Sequence, residues 1–227
     1  MIKSEQDKTR EFYDKFSYRL RLDHKGNKRL DRFKAKIAGI VTAGEDILDL
    51  GCGIGITSQW MAKLGANVTA VDISPANINY AKEFMAHKNV EYIEADITSL
   101  MLDRKYDGIV LSDIWEHIPK KYLENLMKAI TTHAKKGRAW VYLNIPNGRY
   151  QQAAQKHIPE RLQMVDEVWM IQEILDLFEI MGFTPVTIDI HGIDCACQYN
   201  SLLFHRTADI RAEHDNFQKQ IAGKTNV

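Results

Sequence analysis

The 227-residue chain lacks an excess of charge of either sign, because 30 lysines and arginines balance 30 aspartates and glutamates. Nucleic-acid-binding proteins usually carry a basic excess, so this balance argues against a nucleic-acid partner. The chain also lacks an apolar run near the roughly 20 residues of a transmembrane helix. Its first residues, MIKSEQDKTREFYDKF, are too polar for a secretory signal. We therefore expect a cytoplasmic protein with no membrane span.

Cysteine is scarce as well, with only Cys52, Cys195 and Cys197. Three cysteines form no disulfide framework, and a C-x-C pair without further ligands is a poor zinc site. The length is nonetheless sufficient for one domain with a substantial core. We expect a single domain over residues 1–207, as a monomer or a homodimer, followed by a polar tail over residues 208–227.

Apolar residues at helical spacings predict an N-terminal helical cap over residues 1–42. From residue 45 onward, short apolar strands alternate with helices. This alternation predicts an α/β fold in which a mostly parallel, seven-stranded sheet has helices on both faces. The last two strands are close enough in sequence to pair as antiparallel neighbours. A polar insert without clear periodicity spans residues 148–165, and a helix is predicted over 167–181. The predicted strands are 46–50, 67–72, 90–96, 106–113, 138–145, 184–192 and 199–206.

The most informative stretch is the glycine turn after the first strand, with Gly51, Gly53 and Gly55. Glycine is needed where the backbone takes a positive φ or approaches a ligand closely. A dinucleotide-binding turn requires a further glycine where this sequence has Ile56, so that fingerprint fails. Asp49, two residues before the first glycine, would repel a pyrophosphate but can accept a hydrogen bond from an ammonium group. The turn therefore favours a nucleoside that carries an amino acid over a dinucleotide.

The segment Asp49–Gly55 (D-L-G-C-G-I-G) resembles motif I of class I S-adenosylmethionine (SAM)-dependent methyltransferases. The resemblance implies a Rossmann-like methyltransferase fold, with Asp72 binding the ribose hydroxyls, Asp96 the adenine amino group, and Ile73 and Ile97 flanking the ring. Aspartates also cap turns, but three that each follow a successive strand favour a binding site. The residues implied to contact SAM are Tyr13, Arg29, Asp49, Gly51, Cys52, Gly53, Asp72, Ile73, Asp96, Ile97 and Ser112.

Three further segments are similar to the ubiquinone-biosynthesis type of O-methyltransferase. Asp113–Pro119 (D-I-W-E-H-I-P) resembles that family's E-x-x-E-H-V-x-D/P segment. Arg29–Phe33 resembles its R-L-x-Y-I motif. Asn144–Tyr150 resembles the segment that follows its fifth strand. The resemblance implies that Arg29 pairs with the SAM carboxylate and that the methyl acceptor is a small molecule.

The segment around His117 carries the predicted chemistry. An imidazole has an ordinary pKa near 6.5, which suits a general base at neutral pH. If the segment is helical, Asp113, Glu116 and His117 share one face, and such a set can hold a divalent ion such as Mg²⁺, as is implied for related enzymes. Two alternatives stay open: Glu116 orients His117 without a metal, or His117 only packs against the following helix.

Aromatic residues of the N-terminal helices and of the insert are predicted to enclose the methyl acceptor, while Tyr13 closes over the cofactor. Polar residues of the insert, namely His157, Glu160 and Arg161, are expected to contact either the substrate or solvent. The N-terminal region is locally basic, which adds some weight to an anionic substrate. Two other functions stay open: a methyltransferase of RNA or protein, and a non-catalytic partner subunit. The predicted substrate contacts are Tyr18, Tyr150, His157 and Trp169.

Overall fold

In the computed structural model, the described residues are 4–23 and 27–207. The predicted tail, residues 208–227, lies outside them. The helices are α1 (Glu5–Asp23), α2 (Lys28–Ala38), α3 (Ile56–Lys63), α4 (Pro75–Phe84), α5 (Leu123–His133), α6 (Gly148–His157) and α7 (Ile171–Ile180). The strands are β1 (Asp46–Leu50), β2 (Asn67–Asp72), β3 (Val90–Glu94), β4 (Gly108–Ser112), β5 (Trp140–Pro146), β6 (Phe183–His191) and β7 (Tyr199–Arg206). Across the described ranges, none of the helices combines the length and the apolar character that a membrane crossing demands.

The seven strands form one sheet in the order β3-β2-β1-β4-β5-β7-β6. Strands β1 to β5 pair in parallel, and β7 is antiparallel to both β5 and β6. This confirms the predicted fold class. The chain passes from β3, at one edge, to β4 on the other side of β1. The carboxyl ends of β1 and β4 therefore form the switch point where open parallel sheets bind ligands.

Helices cover both faces of the sheet. Leu48 and Leu50 of β1 belong to one hydrophobic cluster together with Phe178 of α7. Ile47 of the same strand belongs to a second cluster together with Phe33 of α2. Successive side chains of a strand point to opposite faces, so the central strands are buried on both sides.

Polar caps begin the helices next to the switch point. The side chain of Asn27 accepts a hydrogen bond from the backbone N–H of Arg29 at the start of α2. Ser74 Oγ accepts one from the N–H of Asn77 at the start of α4, where the sequence predicts a Ser-Pro cap. Each cap satisfies an N–H group that has no partner within the helix.

The insert differs from its prediction. Gly148–His157 form the helix α6, Pro159–Arg161 form a 3₁₀ turn, and the next helix begins at Ile171 instead of residue 167. Asn147 starts α6 by accepting a hydrogen bond from the N–H of Arg149. The buried face of α6 consists only of a glycine, a glutamine and an alanine. The helix therefore has little apolar periodicity by which the sequence could reveal it.

Candidate active site

Two adjoining cavities lie at the carboxyl edge of the sheet. The larger cavity, of about 410 Å³, is lined by residues of α1, α2, the glycine turn, the β4 end and the insert. The smaller cavity, of about 330 Å³, is lined by residues of α1 and of the loops after β2, β3 and β4. The residues that line both are Tyr13, Gly51, Asp72, Ile114 and His117.

The glycine turn between β1 and α3 forms the floor of the larger cavity. Gly51, Gly53 and Gly55 have φ values of 75°, 54° and 82°, which side chains with a Cβ rarely adopt. A Cβ on Gly51 would also lie 2.5 Å from the Ile114 Cγ1 atom. The buried Cys52 lines the cavity between two of the glycines. The turn thus brings bare backbone against the cavity, as the predicted binding of SAM requires.

Asp72, at the end of β2, is the central polar group of the cleft. Its Oδ2 accepts from the N–H of Gly53 at 2.8 Å, and its Oδ1 accepts from the N–H of Ser74 at 2.9 Å and from Asn77 Nδ2 at 3.1 Å. Burial raises the pKa of this carboxyl, and the three donors lower it in part. A fixed carboxylate between the two cavities can accept the hydroxyl groups of a ribose.

Asp49 lies behind the glycine turn and lines neither cavity. Its Oδ2 accepts hydrogen bonds from Ser58 Oγ at 2.6 Å and Thr57 Oγ1 at 3.3 Å, both in α3. Burial raises its pKa to about 6. In this arrangement Asp49 fixes α3 to the end of β1, whereas the resemblance implies contact with the cofactor.

The smaller cavity contains the other acidic residue assigned to the nucleoside. Asp96 follows β3 and accepts from the N–H and the Oγ1 of Thr98, both at 2.8 Å. Its second oxygen, Oδ2, accepts from Gln6 Nε2 of α1 at 2.8 Å. Ile73 and Ile97 line the same cavity. A donor group thus already meets the carboxylate to which the resemblance assigns the adenine amino group.

Arg29 and the end of β4 form a second polar group in the larger cavity, which Ser112 also lines. Arg29 Nη1 lies 3.3 Å from Asp113 Oδ2, and Asn144 Nδ2 donates to Asp113 Oδ1 at 2.7 Å. Arg29 Nη1 also donates to the Tyr199 hydroxyl at 3.4 Å. Asp113 has a φ of 53°, in the left-handed region. These contacts hold Asp113 in a backbone conformation that is costly for a residue with a Cβ.

His117 lines both cavities and is held by the segment that follows the insert. Its Nδ1 lies 2.7 Å from the carbonyl oxygen of Val165, and 3.4 Å from Asp166 Oδ1. A carbonyl oxygen only accepts, so Nδ1 carries the proton and Nε2 is the free acceptor. Burial lowers the pKa of His117. A neutral imidazole with a free Nε2 can take a proton from a hydroxyl group.

Glu116 lines the larger cavity beside this imidazole. It is 2% exposed, and its Oε2 has no hydrogen-bond partner among the described residues. Burial and the nearby Asp113 carboxylate raise its pKa well above the ordinary range. Both effects favour the protonated form of this carboxyl, and its Oε2, which has no partner among the described residues, is available to a ligand.

The metal hypothesis assumes a helical face that the structure does not form. The 3₁₀ turn begins at Trp115, and the carboxylate of Asp113 is engaged by Arg29. Glu116 Oε1 and His117 Nε2 lie 3.8 Å apart. Within residues 4–23 and 27–207, no three acidic, histidine or cysteine side chains are grouped so that they could hold a metal ion. The prediction of Asp113, Glu116 and His117 as a metal site is corrected accordingly.

Of the residues predicted to contact the acceptor, Tyr150 lines the larger cavity. Tyr13, which is predicted to close over the cofactor, lines both cavities. Tyr18 is 68% exposed, and neither it nor His157 lines either cavity. Trp169 is buried in the hydrophobic core, with its ring centroid 5.9 Å from that of Trp115. Trp169 is therefore a packing residue, which corrects its prediction as a substrate contact.

The structure adds residues that sequence patterns do not indicate. Asp166 and Gln163 line the larger cavity, and Gln151 Nε2 donates to Asp166 Oδ1 at 3.0 Å. The contact between His117 and Val165 joins residues that are 48 positions apart. No local motif encodes such a contact, so only the fold reveals it.

Comparisons with known proteins agree with this geometry. A family model described as a methyltransferase domain matches residues 22–198. The mitochondrial ubiquinone biosynthesis O-methyltransferase of Schizosaccharomyces pombe is 36% identical over 100 residues, which are 41% of this chain and 36% of that protein. The cypemycin N-terminal methyltransferase of a Streptomyces species is 27% identical over 157 residues, or 63% of each chain. The aligned part of this chain thus spans little more than a third of the ubiquinone-biosynthesis relative.

Solved structures support the fold at lower identity. The magnesium protoporphyrin IX methyltransferase of Synechocystis PCC 6803, crystallised with bound SAH, has a TM-score of 0.75 at 17% identity. The match covers 89% of this chain and 100% of that one. At this identity the likeness shows the fold alone, whereas the family model covers most of the chain. The chain therefore belongs to the family of methyltransferase domains, as the sequence predicts.

Proposed function

We propose that this protein transfers the methyl group of SAM to an oxygen of a small molecule, with His117 as the general base. The observation that carries the proposal is His117, which lines both cavities and whose Nδ1–H is held by the Val165 carbonyl, so that Nε2 is the acceptor. The most similar curated relatives named above include an O-methyltransferase of ubiquinone biosynthesis, which agrees with an oxygen acceptor.

The residues present fit SAM. Bare backbone at Gly51 and Gly53 forms the cavity floor, and the carboxylates of Asp72 and Asp96 line the smaller cavity with two isoleucines. When bound, SAM supplies an electrophilic methyl group on its sulfonium sulfur. A nucleophile that attacks this carbon in line displaces S-adenosylhomocysteine as the leaving group. Asp72 is placed to hold the ribose hydroxyls, and Arg29 to face the amino-acid portion.

The chain's own chemical contribution is proton removal and orientation. As the acceptor oxygen forms its bond to the methyl carbon, His117 Nε2 takes the hydroxyl proton. Nδ1–H donates to the Val165 carbonyl, which fixes the tautomer, and Asp166 stabilises the positive charge that develops on the ring. Glu116 supports the acceptor by a hydrogen bond, since its Oε2 is buried without a partner among the described residues.

Nitrogen is the second candidate acceptor atom. The Streptomyces relative is named as an N-terminal methyltransferase, and its alignment covers more of this chain than that of the yeast protein. A protonated amine also needs a base before it can attack, so His117 serves either acceptor. Methylation of small amines but not of hydroxyl compounds would decide for nitrogen.

The substitution His117→Asn tests the base. Asparagine can still donate to the Val165 carbonyl, but it offers no basic nitrogen on the cavity. We expect kcat to fall about 100- to 10,000-fold. The affinity for S-adenosylhomocysteine (SAH) should stay within about threefold of the parent value, because the imidazole acts in the chemical step and not in cofactor binding. Methyl transfer to a panel of small phenols, hydroxy acids and amines is measured by mass spectrometry, and SAH binding by calorimetry.

His157→Asn is the matched control, since His157 is exposed and lines neither cavity. It should retain the parent kcat. Parent-like turnover in His117→Asn would remove the base assignment. Absence of SAH binding by the parent protein would instead favour the non-catalytic partner subunit.

A further inference from the structure

One cation of the insert faces the larger cavity without a counter-charge. Arg161, at the end of the 3₁₀ turn Pro159–Arg161, lines this cavity. Its guanidinium makes no ion pair or side-chain hydrogen bond to any residue in the ranges 4–23 and 27–207. An arginine side chain carries five N–H donors and stays charged at every physiological pH.

The acidic groups of the same cavity are engaged elsewhere. Asp113 pairs with Arg29 at 3.3 Å. Asp166 accepts from Gln151 at 3.0 Å and lies beside the His117 ring. Glu116 is buried, and burial raises its pKa well above the ordinary range, which disfavours its charged form. None of these side chains is therefore left to neutralise Arg161.

The structure also separates Arg161 from its neighbours in the insert. His157 and Glu160 line neither cavity, whereas Arg161, which is exposed like them, lines the larger one together with Leu162 and Gln163. Gln163 Oε1 is buried without a hydrogen-bond partner among the described residues. Arg19 of α1 lines this cavity too, with its guanidinium 5.6 Å from the Phe16 ring centroid. Arg161 thus lines the cavity together with a second arginine and a glutamine.

We infer that the methyl acceptor carries an oxyanion group, a carboxylate or a phosphate ester, which Arg161 binds while the reacting hydroxyl faces His117. This inference rests on the proposed function and names its substrate class. The planar guanidinium matches the two oxygens of either group with two parallel hydrogen bonds. Because Arg161 is exposed to solvent, the pair is weaker than a fully buried one, and salt should weaken it further.

Two matched pairs of probes test the inference. One pair is 4-hydroxybenzoate and its methyl ester, and the other is 4-hydroxyphenyl phosphate and hydroquinone. Each is titrated calorimetrically into the protein saturated with SAH, and each is offered with SAM in a turnover assay. We expect the anionic member of at least one pair to bind about tenfold more tightly than its neutral partner. The pair that shows the preference tells carboxylate from phosphate.

Arg161→Gln should remove this preference by weakening only the anionic probe, and Arg161→Lys should restore part of it. Arg149→Gln is the matched control, since Arg149 is exposed on α6 and lines neither cavity. Equal binding of the anionic and neutral probes by the parent protein would overturn the inference. So would weak binding of all four probes, or an equal loss for both members of a pair in Arg161→Gln.

The same measurements separate this inference from the proposed function. Failure of the parent protein to bind SAH counts against the methyltransferase function. Arginine-dependent binding of an anionic probe without methyl transfer supports the Arg161 subsite and counts against the assigned chemistry.

Discussion

The two sides of the cleft are built in different ways. On the cofactor side, Asp72 and the glycine turn take their positions from strand ends, and their partners are nearby backbone groups such as the N–H of Gly53 and Ser74. On the acceptor side, Asp166 and Val165 take their positions from contacts with side chains, namely those of Gln151 and His117.

Because of this difference, the two sides should respond differently to amino-acid substitution. A strand end is fixed by the sheet, so its residues depend little on loop conformation. The acceptor side depends on a few polar contacts between α6, the segment after it and the 3₁₀ turn at His117. Substitutions on the cofactor side should therefore change binding of SAH, whereas those on the acceptor side should change turnover and specificity.

The largest effect on cofactor binding is expected for Asp72→Asn. The amide loses the charge that receives the ribose hydroxyls, and it presents a donor where Asp72 now accepts from Gly53, Ser74 and Asn77. Hydrogen bonds to a charged group contribute about 1.5 to 3 kcal/mol each, so we expect SAH affinity to fall about 100-fold. Calorimetry measures the affinity, and circular dichroism checks the fold.

Asp103→Asn is the matched control, because Asp103 is exposed and lines neither cavity. Its SAH affinity should equal that of the parent. A loss below about threefold in Asp72→Asn would show that the end of β2 does not hold the cofactor, and the comparison between the two sides would fail.

A smaller effect is expected for Asp166→Asn on the acceptor side. The Asp166 carboxylate raises the pKa of His117, against the lowering by burial, so its removal lowers that pKa further. Because the neutral imidazole is the active form, the acidic limb of the pH–kcat profile should move to lower pH. We expect the plateau value of kcat to fall about tenfold, since a less basic and less well oriented imidazole is a poorer proton acceptor.

The pH profile separates this positioning role from a purely structural one. SAH affinity should be unchanged in Asp166→Asn, and Asp176→Asn, an exposed carboxylate of α7 that accepts from Gln172, should leave the profile in place. A tenfold loss of kcat without movement of the acidic limb would mean that Asp166 only holds the insert.

The same division explains how much the sequence predicts. The strands β1, β2 and β7 have the bounds that apolar periodicity predicts, and the Ser-Pro cap of α4 is confirmed. The positions of Asp72 and Asp96 on the cleft follow from the strand ends. Such features depend on local pattern and on the geometry of a parallel sheet, which are both readable from the chain.

The acceptor side could not be predicted in the same way. The helix α6 buries too little apolar surface to show a period, and Trp169 looks like a pocket residue until its neighbours in the core are known. The predicted face of Asp113, Glu116 and His117 requires a helix. Asp113 instead takes a φ of 53°, and the 3₁₀ turn starts at Trp115. Arg29 and Asn144, distant in sequence, are what hold that conformation.

The smallest effect, and the sharpest test within the cofactor side, concerns Asp49. Its pKa in the folded protein is about 6, above the ordinary 3.8 of an aspartate, because of burial. The folded state therefore binds the proton more tightly, and this group lowers stability as pH rises from about 4 to about 6. Asp49→Asn removes the buried charge and retains an oxygen for Ser58 and Thr57.

A pKa raised from 3.8 to about 6 corresponds to about 3 kcal/mol above pH 6, and the buried amide N–H groups of the new asparagine offset about 2 kcal/mol of it. We therefore expect Asp49→Asn to raise the free energy of unfolding by about 1 kcal/mol above pH 6 and to give no gain below pH 4, where the parent carboxyl is already protonated. Urea unfolding at several pH values measures this difference against the parent. SAH affinity should stay within about threefold, because the Asp49 carboxylate lines neither cavity. If the variant instead loses SAH binding and gains no stability, Asp49 contacts the cofactor as the family resemblance implies. Asp49 and Asp72 would then share one role, and the structure's distinction between Asp49 behind the turn and Asp72 on the cavity would have no functional meaning.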